Sequence, residues 1–282
     1  MASAPQAASD KLRIVYDEMS AKFVSQGLNV GFINTARQRY IYQGSDLVPL
    51  PYAKFPTSLG SDTVRLIVIP LAKASAQLVK AVSALSRDFQ QALRSGAELY
   101  VNEPERWHIT VFHTSKYDDT RPNPLKPLAA DLQQTESVHR APPSSDALHQ
   151  EHQTMQKLVG QNQPINLEVH RVLLADSGTL LVCLIDRDGS LNHLREQLTR
   201  AFPGAPMRQT QIMHVSVLRL LTAQQLSSEE RRRLQAICDE YTTELKGMQI
   251  TATELWYIHE TMFANIEGKV HAMKTSRESK HV

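Results

Sequence analysis

The chain has little of several things that would settle its class at once. Only two of its 282 residues are cysteine, Cys183 and Cys238, which excludes a disulfide framework or a spaced thiolate cluster and favours two buried thiols in a reducing compartment. No apolar run approaches the roughly 18 residues a membrane span needs. The opening stretch "MASAPQAASDKLRIVYDEMS" has no apolar signal core and carries Asp10, Asp17 and Glu18, so a soluble intracellular protein, cytoplasmic or nuclear and without a membrane partner, is expected. An excess of one charge is also missing. With 31 Lys+Arg against 29 Asp+Glu the net charge is +2, which argues against coating long nucleic acid by charge alone and leaves a small phosphate ligand open. A glycine-rich loop of the G-x-x-x-x-G-K-S/T type is absent, and with it that support for nucleoside triphosphate hydrolysis.

What is present is a tail, two similar halves and a polar bridge. Residues 9 to 26 place Leu12, Val15, Met19 and Phe23 on one helical face, and irregular sequence follows, so residues 1–60 read as an N-terminal extension. The first half reads as a strand over Val64 to Ile69, a helix from about Ser75 to Ser95, a short strand near Leu99 and a strand around His108. Prolines and charges suggest a polar insertion over about 116–145, with a helix through 145–159. The second half opens with two strands joined by a turn at Asp176 to Gly178. It continues with a helix carrying Leu191, Leu194 and Leu198, a strand around His214, and a helix opened by the capping pattern Ser227-Ser228-Glu229-Glu230. A closing hairpin, "TATELWYIHE" with "GKVHAMKTS", completes a unit over 61–275, and 276–282 is a tail. The repeated order of elements suggests duplicated lobes sharing a cleft.

Two strands carry an unusual polar face. In "RWHITVFHTS" alternation puts His108 and Thr110 on one side and Trp107, Ile109 and Val111 on the other, and "QIMHVSVLRL" repeats this with His214 and Ser216. A histidine followed two residues later by Ser or Thr should occur roughly 1.6 times by chance at this composition, and it occurs five times. Three of these, His113, His152 and His259, sit at strand ends or in polar helix. Only His108 and His214 lie mid-strand at matching places in their halves. The pair His149 and His152 lacks a third ligand for a metal, so no metal or other cofactor is expected. Arg231, Arg232 and Arg233 read as a charged helix surface, and Arg219 alternates to the face opposite His214.

These residues resemble the two-histidine (2H) phosphoesterase superfamily, which includes RNA cyclic phosphodiesterases and bacterial proteins related to 2′-5′ RNA ligase. The resemblance covers roughly residues 64 to 275 and rests on His108-Ile109-Thr110, on His214-Val215-Ser216, on the strand-helix-strand order before each, and on "LWYIHE". It implies a bilobal α+β fold, two antiparallel sheets flanking a central groove with helices outside, one motif from each lobe, and His108, Thr110, His214 and Ser216 as the functional residues.

The chemistry suits that pair. Residues two apart on a strand stand roughly 6.6 Å apart, so an imidazole and a hydroxyl can grip one phosphate, and a histidine on each wall can divide the proton transfers of in-line displacement as general acid and base. His108 and His214 are thus the expected catalytic residues, with Thr110 and Ser216 holding phosphate oxygens. The expected activity is a metal-independent phosphodiesterase acting on RNA ends or small cyclic nucleotides, by 2′,3′-cyclic phosphate opening or RNA phosphodiester cleavage. The alternative is a noncatalytic nucleotide or RNA-end binding module that retains the cleft. Phe112, Tyr117 and Tyr257 are candidates for stacking on a base. A monomer is expected.

Overall fold

A computed structural model describes residues 4–55, 64–118, 123–127 and 143–276. The expected insertion over 116–145 and the tail over 276–282 fall largely outside these residues. In chain order the elements are α1 (Ala4–Gln26), α2 (Val30–Arg37), the hairpin β1 (Tyr40–Gln43) and β2 (Asp46–Pro49), β3 (Val64–Pro70), α3 (Leu71–Ala74), α4 (Ala76–Ala92), β4 (Leu99–Val101) and β5 (His108–Ser115). They continue with α5 (Ser145–Gln161), β6 (Ile165–Leu174), β7 (Thr179–Asp186), α6 (Ser190–Ala201), β8 (Met213–Leu220), α7 (Ser228–Leu245), β9 (Gln249–Ala252), β10 (Glu254–Glu260) and β11 (Gly268–Lys274).

The helices form where apolar residues recur at helical spacing and a cap closes the first turn. In α4, Leu78, Val82, Leu85 and Phe89 are buried, and the Ser75 side chain accepts a hydrogen bond from the Leu78 N–H. The sequence pattern carries this helix to about Ser95, but the regular helix ends at Ala92. α7 opens with the expected capping box between Ser227 and Glu230 and buries Leu234, Cys238, Tyr241 and Leu245.

The main sheet runs β11-β10-β3-β5-β8-β7-β6-β9, with β4 also paired to β8. It consists of two antiparallel lobes, as expected, but they are not separate sheets: β5 and β8 pair through Ile109 and Val215. The chain also crosses between lobes. β4, from the first half, pairs with β8, while β10 and β11 return to pair with β3 and with each other.

The N-terminal residues are not an appendage. One face of the sheet forms the largest hydrophobic core under the helices. Over the second lobe, the opposite face carries Leu181, Cys183 and Ile185, covered by Tyr16 of α1, with Leu12 and Met19 packed alongside. The Tyr16 hydroxyl donates to the Leu184 carbonyl at 2.8 Å and accepts from the Met213 N–H at 2.9 Å, which ties α1 to β7 and β8. Over the first lobe, Val64, Leu66 and Val68 of β3 are covered by Tyr40, Tyr52, Phe55 and Phe263. What remains open lies between these two covers, at the meeting of β5 and β8.

α5 departs from its expected character as a solvated polar helix. Glu151 is 1 % exposed and pairs with Arg65, 2 % exposed, at 3.2 Å. Glu151 also accepts from the hydroxyls of Tyr257 and Thr114. A buried carboxylate held this way needs every partner it has, so the helix is fixed to β3, β5 and β10 by polar as well as apolar contacts. Among the described residues no helix is long and apolar enough to cross a membrane.

Candidate active site

The antiparallel pairing of Ile109 with Val215 brings the polar faces of β5 and β8 to one groove of about 360 Å³, lined by His108, Thr110, His214 and Ser216 among others. That volume lies at the small end of ligand pockets. Ile109 and Val215 are fully buried on the other side.

Each motif strand then does something that simple alternation misses. On β5, Val68 pairs with Thr110 and Ile67 with Phe112, so Val111 is skipped. On β8, Leu181 pairs with Ser216 and Leu180 with Leu218, so Val217 is skipped. An extra residue in one strand reverses the parity of everything after it. His113 therefore rejoins the face of Thr110, and Arg219 that of Ser216, and both line the groove. The expectation that Arg219 faces away from His214 is corrected by this bulge. The readable signal is a doubled apolar step, Val111-Phe112 and Val217-Leu218, which breaks alternation at the same place in both strands.

The histidines are held from behind. His108 Nδ1 lies 2.8 Å from the Arg106 carbonyl; as donor, that nitrogen leaves Nε2 of the neutral ring as the acceptor. His214 Nδ1 makes no hydrogen bond of good geometry, although the Ile212 carbonyl, two residues back like Arg106, still favours its charged form. Burial depresses both histidines. His214 is brought to about 4, chiefly by burial and then by His108, with Arg219 and Arg195 acting in the same sense. His113 is pushed down to about 3 by burial, Lys116 and His108.

One guanidinium spans both motif strands. Arg195 of α6 donates to the carbonyls of Thr110 (3.0 Å) and Val111 (3.0 Å) at the β5 bulge, and to that of Gln211 (3.1 Å) just before β8. It stabilises the bulge and the approach of the strands where their own pairing is thin.

The side wall comes from residues outside the two histidine motifs. Glu260, at the end of β10, is buried and its carboxyl is pushed up to about 7, mainly by that burial. It accepts from the Tyr52 hydroxyl at 2.8 Å and from the N–H groups of Asn265 (2.9 Å) and Ile266 (2.7 Å). These bonds hold a turn in which Ala264 and Ile266 have φ of +50° and +57°, left-handed values unfavourable for both side chains. The turn presents Phe263 and Ala264 to the groove beside Tyr52 and Tyr117.

Of the three candidate stacking residues, Tyr117 lies in the groove, with its ring 5.9 Å from Tyr52. The other two do not face it. Phe112, just past the bulge, is 2 % exposed and packs near Phe202, and Tyr257 is fully buried with its hydroxyl on Glu151. Neither offers a base a free ring face. Sequence reasoning missed His113, Glu260 and Tyr52 as groove residues, and Tyr52 belongs to the segment set aside as an extension. Among the described residues no three His, Cys, Asp or Glu side chains converge to hold a metal ion.

No family model and no curated protein matches the chain. Several solved structures are similar to it. A conserved protein of unknown function from Agrobacterium tumefaciens has a TM-score of 0.49 at 14 % identity, over 87 % of this chain and 97 % of that one. Kluyveromyces marxianus Usb1 with uridine monophosphate has a TM-score of 0.43 at 12 % identity, over 76 % and 99 % of the two chains. E. coli LigT in apo form has a TM-score of 0.42 at 10 % identity, over 77 % and 100 %. At such low scores and identities none of these likenesses identifies the reaction, which must be argued from the groove itself.

Proposed function

We propose that the chain is a metal-independent phosphodiesterase that acts on an RNA end or a small cyclic nucleotide through His108 and His214. The observation that carries this reading is the convergence, across the Ile109–Val215 pair, of two histidines and two hydroxyls on one groove of nucleotide size. Binding alone would not need two proton-transfer groups, whereas a metal-free in-line displacement at phosphorus uses one as base and one as acid.

The division of labour follows from the unequal surroundings of the two rings. His214 has Arg219 and Arg195 disfavouring its cation, so it serves as the neutral base. His108 gives Nδ1–H to the Arg106 carbonyl, a bond that favours imidazolium, so it serves as the acid. In the opening of a cyclic phosphate, His214 takes a proton from water as the water oxygen bonds to phosphorus. The bond from phosphorus to one ring oxygen breaks, and that oxygen takes the proton of His108. Thr110, Ser216 and Arg219 meet the charge on the nonbridging oxygens. Where a ribose hydroxyl replaces water as nucleophile, the same proton transfers cleave an RNA phosphodiester. Both rings are depressed in the free protein, so a bound phosphate anion is what makes the protonated acid accessible at neutral pH.

The test is incubation with 2′,3′-cyclic nucleotides and short RNAs bearing different ends, with products identified by mass. Turnover that survives EDTA is expected. Loss of turnover in EDTA with rescue by a divalent ion would sink the metal-free scheme, and binding without turnover would favour the noncatalytic module.

A further inference from the structure

The groove does not end at the two histidines. From the Ile109–Val215 pair, β5 and β8 run in opposite directions, so Arg219 and Lys116 mark opposite ends. At the Lys116 end the lining comprises His113, Lys116, Asp118, Arg208 and Thr210. Among the described residues, two cationic side chains and one carboxylate line that end. The Arg208 guanidinium makes no ion pair among the described residues, and His113 Nδ1 is buried without a hydrogen-bond partner.

The loop that brings Arg208 and Thr210 to this place is built rather than draped. The Gln209 amide acts as a strand rung: its oxygen accepts from the His113 N–H at 2.9 Å, and its nitrogen donates to the carbonyls of His113 (2.9 Å) and Pro206 (2.8 Å). Lys116 Nζ donates to the Arg208 carbonyl, and Arg195 holds the Gln211 carbonyl at 3.1 Å. At the loop's start a Cβ on Gly204 would lie 2.2 Å from the carbonyl oxygens of Asn123 and Lys126, so only glycine permits that close approach. Four polar anchors on a segment outside regular structure fix where its cation stands.

Resting on the phosphodiesterase reading, we propose that His113, Lys116, Arg208 and Thr210 form a second phosphate subsite. It takes the 5′-phosphate, or the next phosphodiester, of the nucleoside whose 3′ end lies between His108 and His214. With the bulge discounted, His113 stands two strand steps beyond Thr110, roughly 6.6 Å, a span on the scale of one ribose between its 3′ and 5′ phosphates. An anion here meets the cations of Lys116 and Arg208 and the Thr210 hydroxyl, beside the His113 ring. The substrate is then a nucleotide carrying a second phosphate, such as the end of an oligonucleotide, in preference to a lone nucleoside cyclic phosphate.

The experiment is calorimetric titration of the intact protein with a nucleoside 3′,5′-bisphosphate and with the matching 3′-monophosphate, alongside turnover of 2′,3′-cyclic phosphates with and without a 5′-phosphate. The bisphosphate should bind about tenfold or more tightly, as expected for a charge-assisted contact. Arg208→Gln should bring that ratio near one, while Arg232→Gln, on the exposed surface of α7, should leave it unchanged. Equal affinities for the two ligands, or an equal fall in the ratio with Arg232→Gln, would overturn the subsite. The outcomes separate the two ideas. A binding preference without turnover would sink the enzyme and keep the subsite, whereas turnover indifferent to the 5′-phosphate would keep the enzyme and sink the subsite.

Discussion

β5 and β8 carry the same three-place face, a histidine, a hydroxyl and a residue brought round by a bulge, but the third place is His113 on one strand and Arg219 on the other. Arg219 carries a guanidinium, whereas burial and Lys116 keep His113 neutral. The support behind the first place differs too, since His108 has the Arg106 carbonyl at 2.8 Å while His214 has no bond of that quality. The backbone is nearly two-fold and the charge is not. A duplicated strand plan supplies the geometry for gripping a phosphate from both sides, and the unequal neighbours give the reaction a direction.

The largest expected effects test whether the first places are equivalent. His108→Ala and His214→Ala should each lower turnover by roughly two to four orders of magnitude, the range for losing a general acid or base, while circular dichroism still reports a folded chain. An ester with a nitrophenolate leaving group separates the roles, because that group departs without a proton. It should restore much of the activity of His108→Ala and little of that of His214→Ala. Equal rescue of both variants would break the assigned direction, and wild-type turnover in either would remove the site.

The third places come next. Arg219→Gln should cost roughly two orders of magnitude in kcat, the low end of the range for losing a fixed donor to the transition-state charge. His113→Gln should cost less than that, and mainly in KM. The reverse ranking would show that the bulges, and not the charge, matter at this place. The second places should fall below Arg219→Gln in kcat: Thr110→Val and Ser216→Ala each remove one hydrogen bond, about a tenfold effect.

The four central residues were legible because a strand's period of two is simple and both motifs sit between apolar neighbours that become core. The rest was hidden for identifiable reasons. Simple alternation puts Arg219 on the wrong face because a bulge is a property of pairing with β3 or β7, which no single strand records except as a doubled apolar step. Phe112 and Tyr257 look like stacking residues in sequence, but aromatic character alone does not tell a ring that packs on Phe202 from one that faces a ligand. The burial of Glu151 is not readable from its polar helix, because its partner Arg65 is distant in the chain. The N-terminal residues read as an extension because Tyr16 and Tyr52 act through contacts some 170 to 210 residues away, with Leu184 and Glu260. Local pattern predicted most of the helices and strands and the central pair of motifs; it could not predict what covers the open face of the sheet.

The smallest expected effect concerns stability and isolates the third place of β5 from its counterpart. His113 has a folded value near 3 against about 6.5 unfolded, so below about pH 6.5 the unfolded chain binds a proton that the folded chain refuses. Its contribution is therefore fully favourable above that value and is lost as pH falls from 6.5 toward 3. Between pH 7.5 and pH 5 the loss should be on the order of 1–2 kcal/mol. His108 and His214 act in the same sense, while Glu260, raised to about 7, acts oppositely by taking up a proton more readily when folded. The observable is thus a difference: urea midpoints at pH 7.5 and pH 5 for wild type and for His113→Gln. The wild type should lose more stability on acidification than the variant, by about the amount stated. Arg219→Gln should reduce the acid-induced loss by less than His113→Gln does, because it acts only through His214, on which burial and His108 weigh more. If the two variants behaved alike, His113 would not be the buried neutral ring that sets β5 apart from β8.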